Sequence, residues 1–272
     1  MTRLSVIGNI SRDLTSYPDG RRSHQLGGAA LHTALAASHA GADTALVSVI
    51  GQDLAPLARS TGHPRLDWSM LCVAPESSAI FTLIYDEQDR LVSTEADYGA
   101  AAGLTSHAIG HIVDHVGDFF HLSLRRPLQP EPVLAQLVAQ RAGYSVDLFL
   151  PSAADMIHDA GPWLPRAAVV FCNTAEYRLL AAACDPTELP LVAVTDGPSP
   201  ARLLRHGRLI VEARPPQATP SEVTGAGDTF AGTFLARWLD GRPAAHALAS
   251  AVHAAARHLT TPAIPLPPPH HL

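Results

Sequence analysis

Thr224-Gly225-Ala226-Gly227-Asp228-Thr229-Phe230 is the stretch that decides how this chain folds. A turn of small residues runs into a helical pattern in which Phe230, Phe234, Leu235 and Trp238 share one face, and Gly241 followed by Pro243 ends it. Where a small-residue turn feeds a helix N-terminus, successive backbone N–H groups point at one spot and the helix dipole adds partial positive charge there. Gly225, Ala226 and Gly227 are therefore expected to form an anion hole. Asp228, in the first turn, lies close enough to it to take a proton from a hydroxyl attacking a phosphorus held there. The same residues also make a plain helix start with Asp228 as a favourable first-turn acid, so the rest of the chain must decide between the two.

Outward from that loop, short apolar runs alternate with helix-length segments, the pattern of parallel strands joined by crossover helices. Strands are expected at Leu4–Gly8, Ala45–Ile50, Asp118–Leu122, Ser145–Phe149, Ala168–Cys172 and Leu191–Thr195. Helices are expected at Ala29–Ala40 before Gly41, Glu131–Ala142 before Gly143, and Thr174–Ala183. With 272 residues, 47% of them hydrophobic, the chain can bury one large core. The expected fold class is α/β, a three-layer α/β/α sandwich with a mostly parallel central sheet. Ser78–Asp86 alternates Ala79, Phe81, Leu83 and Tyr85 against Ile80, Thr82 and Ile84, then turns through Glu87-Gln88-Asp89 into Arg90–Glu95. That pattern reads as an antiparallel hairpin, a candidate small β lid. The division expected is one domain over 1–260, with lid elements at about 14–26 and 78–96, and a proline-rich tail over 261–272.

Composition closes several function classes. Apolar runs reach only about eight residues against the roughly 20 needed to span a bilayer, so no membrane partner is expected. The strand-like Leu4-Ser5-Val6-Ile7 leaves no room for a secretory signal, which points to the cytoplasm. Cys72, Cys172 and Cys184 have neither CxxC spacing nor an even count, and are read as core fillers. A net charge of -6 with scattered basic residues gives no footprint for nucleic acid. All 19 basic residues are arginine. Schiff-base catalysis and the lysine-bearing phosphate loops are thereby excluded, so phosphoryl transfer would rest on backbone donors, arginine and metal. Arg12 and Arg90 are candidates for neutralising phosphate charge. His107, His111 and His115 recur every four residues, with Gly110 interrupting, and read as a solvated helix face rather than a metal site.

With these residues in hand, the chain resembles the PfkB or ribokinase family of carbohydrate kinases. The family's C-terminal signature, Asp-[Ser/Thr]-x-Gly-Ala-Gly-Asp, appears as Glu222-Val223-Thr224-Gly225-Ala226-Gly227-Asp228: its phosphate half matches and its first half departs. The resemblance implies Asp228 as catalytic base, with Thr224 beside the nucleotide. Glu222 stands where relatives place a cation-binding Asp, which puts activation by a monovalent cation such as K+ in question. Gly27-Gly28, a small-residue helix ending at Gly41, and Val49-Ile50-Gly51-Gln52-Asp53 match the N-terminal signature. They imply that Gly27 and Gly28 form a lid hinge approached by the substrate, with His32 where many sugar kinases carry Asn. Asp13, five residues after Gly8, matches the Asp that accepts hydrogen bonds from substrate hydroxyls, beyond the end of the first strand where open α/β folds bind ligands.

Asn173-Thr174-Ala175-Glu176 matches Asn-x-x-Glu, implying nucleotide contact by Asn173 and indirect Mg2+ binding by Glu176, and is also a capping-box pattern. Thr195-Asp196-Gly197 resembles the Thr-x-Gly element near the nucleotide. The implied activity is transfer of the γ-phosphoryl of ATP, with Mg2+, to a hydroxyl of a small polyol: a sugar, nucleoside or cyclitol. A non-catalytic binder of the same fold and a kinase of pyridoxal or a hydroxymethylpyrimidine are the alternatives, and pairing into a homodimer through lid strands is a further implication.

Overall fold

The computed structural model describes residues 2–60, 63–218, 223–261 and 264–266. In chain order the first half contains β1 (Leu4–Ile7), β2 (Ser11–Ser16), β3 (Arg22–Gly27), α1 (Ala29–His39), β4 (Thr44–Gly51), α2 (Ala55–Ser60), β5 (Leu66–Asp67), β6 (Leu71–Ala74), β7 (Ala79–Tyr85), β8 (Leu91–Asp97), α3 (Leu104–Asp114) and β9 (Phe119–Leu124). The second half contains α4 (Pro130–Ala139), β10 (Tyr144–Leu148), α5 (Ala153–Ala160), β11 (Val169–Asn173), α6 (Thr174–Ala183), β12 (Val192–Asp196), β13 (Ser199–Arg205), β14 (Arg208–Ala213), α7 (Ala226–Leu239), α8 (Ala244–His258) and β15 (Ile264–Pro265).

The large sheet runs β14-β13-β12-β11-β10-β9-β1-β4-β5, with β6 also beside β4. From β12 to β5 and β6 every pairing is parallel. Its inner strands β1, β4, β9 and β10 are buried at every position, as a sheet covered on both faces requires. On one face Leu31, Ala34, Phe230, Phe234 and Leu248 of α1, α7 and α8 join Val6 and Leu46 in one core. On the other, Leu104, Leu134, Ile157 and Leu180 of α3 to α6 pack on Leu122 and Val146. These two cores are the mortar of the three expected layers. Beyond the expected parallel strands, β13 and β14 add an antiparallel edge. Their alternation is hidden in sequence by Arg202, Arg205 and Arg208, whose side chains stand outside the core.

A second sheet, β15-β3-β2-β7-β8, forms the lid, and the expected hairpin is its β7-β8 pair. Tyr17 stacks on Tyr85 at 4.7 Å, within a small core with Phe81 and Leu83. Asp13, expected beyond the end of the first strand, lies inside β2, paired opposite Gln25 of β3 and Phe81 of β7. Ile264 and Pro265 of the proline-rich segment pair antiparallel with β3, and Leu266 is buried.

Two readings of side chains change. His111 is buried, its Nε2 2.9 Å from Ser5 Oγ, and α3 continues through Gly110. The face carrying His107 and His111 packs on the sheet and the Met70 carbonyl instead of lying in water. Of the cysteines Cys172 is buried, Cys184 half-buried and Cys72 exposed, so burial holds for one of the three. Among the described residues no helix is long and apolar enough to cross a membrane.

His121, in β9, is fully buried with Nδ1 2.9 Å from Ser145 Oγ, and burial depresses its pKa to about 3. The unfolded chain binds a proton here from about pH 6.5 downward while the folded chain refuses it, so this residue withdraws stability as pH falls from 6.5 toward 3. By pH 4 the loss amounts to about 3 kcal/mol. Urea titrations of the wild type and His121→Gln between pH 7 and pH 4 should show a flatter pH dependence in the variant. Parallel curves would show that His121 does not contribute to acid sensitivity.

Candidate active site

The parallel strands end on one side of the large sheet, and their carboxyl ends, the lid and the start of α7 enclose a cleft of about 400 Å3. It is lined by Asn9 after β1, Arg125 after β9, Asp147 on β10, Asn173 on β11 and Thr195 on β12. Carbonyl-end loops of parallel strands are where this architecture can place polar side chains without breaking a ladder.

Gly225 is the N-cap of α7 at φ 83°, a left-handed conformation that disfavours any residue with a Cβ. A Cβ there would also come within 2.7 Å of the His32 ring. The first i to i−4 bond of the helix runs from Thr229 N to Gly225 O, leaving the Gly227 and Asp228 amides ahead of it. A Cβ built on Gly227 meets nothing within 4 Å, so the loop borders open space. Three contacts fix the loop from behind. Tyr85 Oη of the lid lies 2.9 Å from Thr224 Oγ1, His258 Nε2 donates to the Thr224 carbonyl at 2.8 Å, and the His32 and His258 rings meet edge to face at 5.2 Å.

Asp13 and Asp228 line the same cleft. Asp13 is buried; Ser11 Oγ donates to its Oδ1 at 2.6 Å, and a Cβ on Gly27 would overlap its carboxylate. Burial raises its pKa to about 6, against the Ser11 bond, the Arg125 charge and the Gly28 amide, which favour the anion. Gly28, the N-cap of α1 at φ 105°, backs directly onto the Asn9 carbonyl.

Asp228 is ion-paired, and its partner belongs to the same cleft. Arg125 Nη2 lies 3.2 Å from Asp228 Oδ1 and 3.0 Å from Asp147 Oδ2. The guanidinium sits 4.7 Å from the Phe149 ring centroid. Burial works against ionisation of Asp228, but the charges of Arg125 and His32 outweigh it and hold its pKa below the ordinary range. Burial drives Asp147 the other way, with Asp228 adding to the rise and Arg125 opposing it. The two carboxyl groups titrate as a coupled pair, with proton affinity pushed up at Asp147 and down at Asp228. Arg12 and Arg90, the arginines favoured on sequence for phosphate, are engaged elsewhere: Arg12 with Asp53, Arg90 with Asp86 and Gln88. Arg125 and Asp147 escaped the sequence reading because each stands alone in a strand end; the signal was a charge inside or just after an apolar run, in Leu122-Ser123-Leu124-Arg125 and Ser145-Val146-Asp147-Leu148.

Asn173 and Glu176 form a full capping box at the start of α6: Glu176 N donates to Asn173 Oδ1 at 2.9 Å, and Asn173 N donates to Glu176 Oε2 at 2.7 Å. Burial raises the Glu176 pKa to about 7, against the Asn173 amide and Arg125. Thr195 is the penultimate residue of β12, and Gly197, at φ 54°, makes the turn after Asp196. Glu222 lies outside the described residues. A nucleotide with a divalent cation fits this set. The cleft concentrates Asp147, Glu176 and Asp228 where a dication would offset their charge, and the buried Asp147 Oδ1 has no hydrogen-bond partner.

The profile of the pfkB family carbohydrate kinases matches residues 1–264. The cytidine kinase of Thermococcus kodakarensis is 30% identical over 264 residues, covering 89% of this chain and 91% of that one. Among solved structures, the nucleoside kinase of Burkholderia thailandensis in complex with inosine superposes with a TM-score of 0.79 at 16% identity, over 95% of this chain and 91% of that one. A ribokinase II of E. coli in complex with ATP and Mg2+ gives 0.76 at 17% identity, over 97% and 94%. At such identities these two structures speak for the fold. The family profile covers nearly the whole chain, and the chain belongs to the pfkB family carbohydrate kinases, phosphotransferases that act on a hydroxyl group of a small molecule.

Proposed function

We propose that this protein transfers the γ-phosphoryl group of Mg-ATP to a hydroxyl of a nucleoside, with Asp228 as general base, the Gly225–Gly227 loop as anion hole and Asp13 as the group that orients the acceptor. The observation that carries the proposal is the meeting of Asp13, from the lid strand β2, with Asp228 and the glycine loop, from the start of α7, in one cleft. Two carboxylates on separate elements can then hold a polyol at two places, one for binding and one for proton removal.

Asp13 receives hydrogen bonds from acceptor hydroxyls, with its own carboxylate positioned by Ser11 and Gly28. Asp228, ionised at neutral pH, takes the proton of the attacking hydroxyl as its oxygen closes on phosphorus. The Gly227 and Asp228 amides and the dipole of α7 stabilise the charge on the group in transit, while the Ala226 amide donates to the Val223 carbonyl at 3.3 Å and holds the loop's turn. Asn173, Thr195, Gly197 and Thr224 line the nucleotide side, and Glu176 stands where it can hold water around a divalent cation. When bound, Mg-ATP supplies the phosphoryl group and a dication that draws charge off its oxygens. The lid, tied to the loop through Tyr85 and Thr224, keeps water from competing with the acceptor.

A nucleoside is favoured over a free sugar because the 30% identical relative is a cytidine kinase. ATP consumption measured with cytidine, other nucleosides, ribose, fructose, inositol and pyridoxal, with product mass, tests this. Formation of a nucleoside monophosphate is the expected result. Turnover confined to a free sugar, cyclitol or pyridoxal would remove the nucleoside assignment. Binding without any turnover would remove the kinase assignment in favour of a non-catalytic binder.

A further inference from the structure

The cleft has an unusual balance of charge. Asp13, Asp89, Asp147, Glu176 and Asp228 line it, and among its described lining residues Arg125 is the only arginine. A chain with no lysine that must hold a polyphosphate beside five carboxyl groups needs a cation at the reacting centre, and Arg125 already stands there. We infer that Arg125 is a catalytic residue that leaves Asp228 and donates to a non-bridging oxygen of the phosphoryl group in flight. The inference rests on the kinase reading above.

Three features of the site favour it. Arg125 Nη2 is shared between Asp147 and Asp228 at 3.0 and 3.2 Å, while its Nε–H is buried and has no partner, so the fork keeps a donor in reserve for an incoming oxygen. Phe149 underlies the guanidinium, which can slide along the ring face without losing that contact. The position is fixed by the chemistry: an acceptor hydroxyl within hydrogen-bond reach of Asp228 brings its phosphorus within reach of an arginine already touching that carboxylate. In the step, the bond from the acceptor oxygen to phosphorus forms and the bond from phosphorus to the β,γ-bridging oxygen breaks. ADP leaves with that electron pair, and the acceptor proton goes to Asp228. As Arg125 moves its N–H to the phosphoryl oxygen, Asp228 loses the cation that held its proton affinity down, at the moment it must take a proton. Asp147 keeps the arginine anchored through its Oδ2.

The test uses Arg125→Gln and Arg125→Lys, with the double variant R125Q/D147N, which removes Arg125 together with the carboxyl group that anchors it, should the single variant fold poorly. Arg125→Gln should lower kcat by about 10³-fold, as expected for an arginine acting on a transferring phosphoryl group. KM for ATP and for the acceptor should change less than about threefold. Methylguanidine should restore part of the rate in Arg125→Ala. A readout independent of turnover is calorimetric binding of ADP with aluminium fluoride and cytidine. The wild type should bind ADP more tightly when the fluoride complex is present, and Arg125→Gln should lose that gain while binding ADP alone normally.

A folded Arg125→Gln with wild-type kcat, or one with only a raised acceptor KM and intact tightening by aluminium fluoride, would overturn the inference and make Arg125 a structural or substrate-binding group. Either result leaves the kinase reading standing. That reading fails separately, if the wild type phosphorylates no acceptor, and the inference falls with it.

Discussion

Asp228→Asn should lower kcat by at least about 10²-fold, with ATP affinity within about threefold of the wild type. Asn preserves the shape of the side chain and a carbonyl oxygen for Arg125, so the first turn of α7 and the ion-pair geometry around it survive. What is lost is proton affinity. In the native site Arg125 and His32 favour the ionised carboxylate of Asp228, which sits in the first turn of the helix that the glycine loop opens, whereas burial raises the proton affinity of Asp147 and Asp13 belongs to the lid sheet. Because the amides of the loop are untouched, the nucleotide should still bind. Steady-state kinetics on the acceptor identified by the panel, together with calorimetry for ATP, provide the check. Turnover near the wild-type level would move the base elsewhere, and a parallel collapse of ATP affinity would make Asp228 a structural acid.

The second large effect is expected at Gly28. Gly28→Ala should cost about 3 kcal/mol of stability, from the left-handed strain of its backbone and an overlap with fixed neighbours. Its φ of 105° is one an L-residue rarely adopts, and the new methyl would run into the Asn9 carbonyl and lie 2.6 Å from the Ile10 Cα. Both obstacles are backbone between β1 and β2, with no flexible side chain to give way. The Gly28 amide also serves the Asp13 carboxylate, so a shift at the start of α1 moves the group proposed to orient the acceptor. A fall in Tm of roughly 6–12 °C should therefore come with an acceptor KM raised at least about tenfold while the KM for ATP changes little. A lowered Tm with unchanged acceptor KM would separate Gly28 from the acceptor site.

The three-layer sandwich was legible from local pattern because a strand buried on both faces must read as an unbroken apolar run, and a crossover helix must carry its stripe and its stop signals. Leu4–Ile7 and Val192–Val194 could hardly be anything else between helices. The glycine loop was legible for a related reason: a helix N-terminus with unpaired amides is made by contiguous residues, so its chemistry is written in one stretch. Asn173 and Glu176 announce themselves in the same way, since a capping box closes within one turn. The antiparallel hairpin β13-β14 was not legible, because at a sheet edge arginine is as acceptable outward as an apolar residue and the alternation blurs.

What the chain dictated by itself was therefore everything whose partners are near neighbours: the strand runs, the glycine loop at the start of α7, the absence of lysine and the antiparallel hairpin β7-β8. Tertiary structure alone decided which charges meet. Arg125, Asp147 and Asp228 are 22 and 81 residues apart along the chain, and only the order of the parallel strands together with the packing of α7 on the sheet brings them into one cleft. Long-range electrostatics depends on distances set by sheet topology and on burial that removes water, and neither quantity is a property of any single segment.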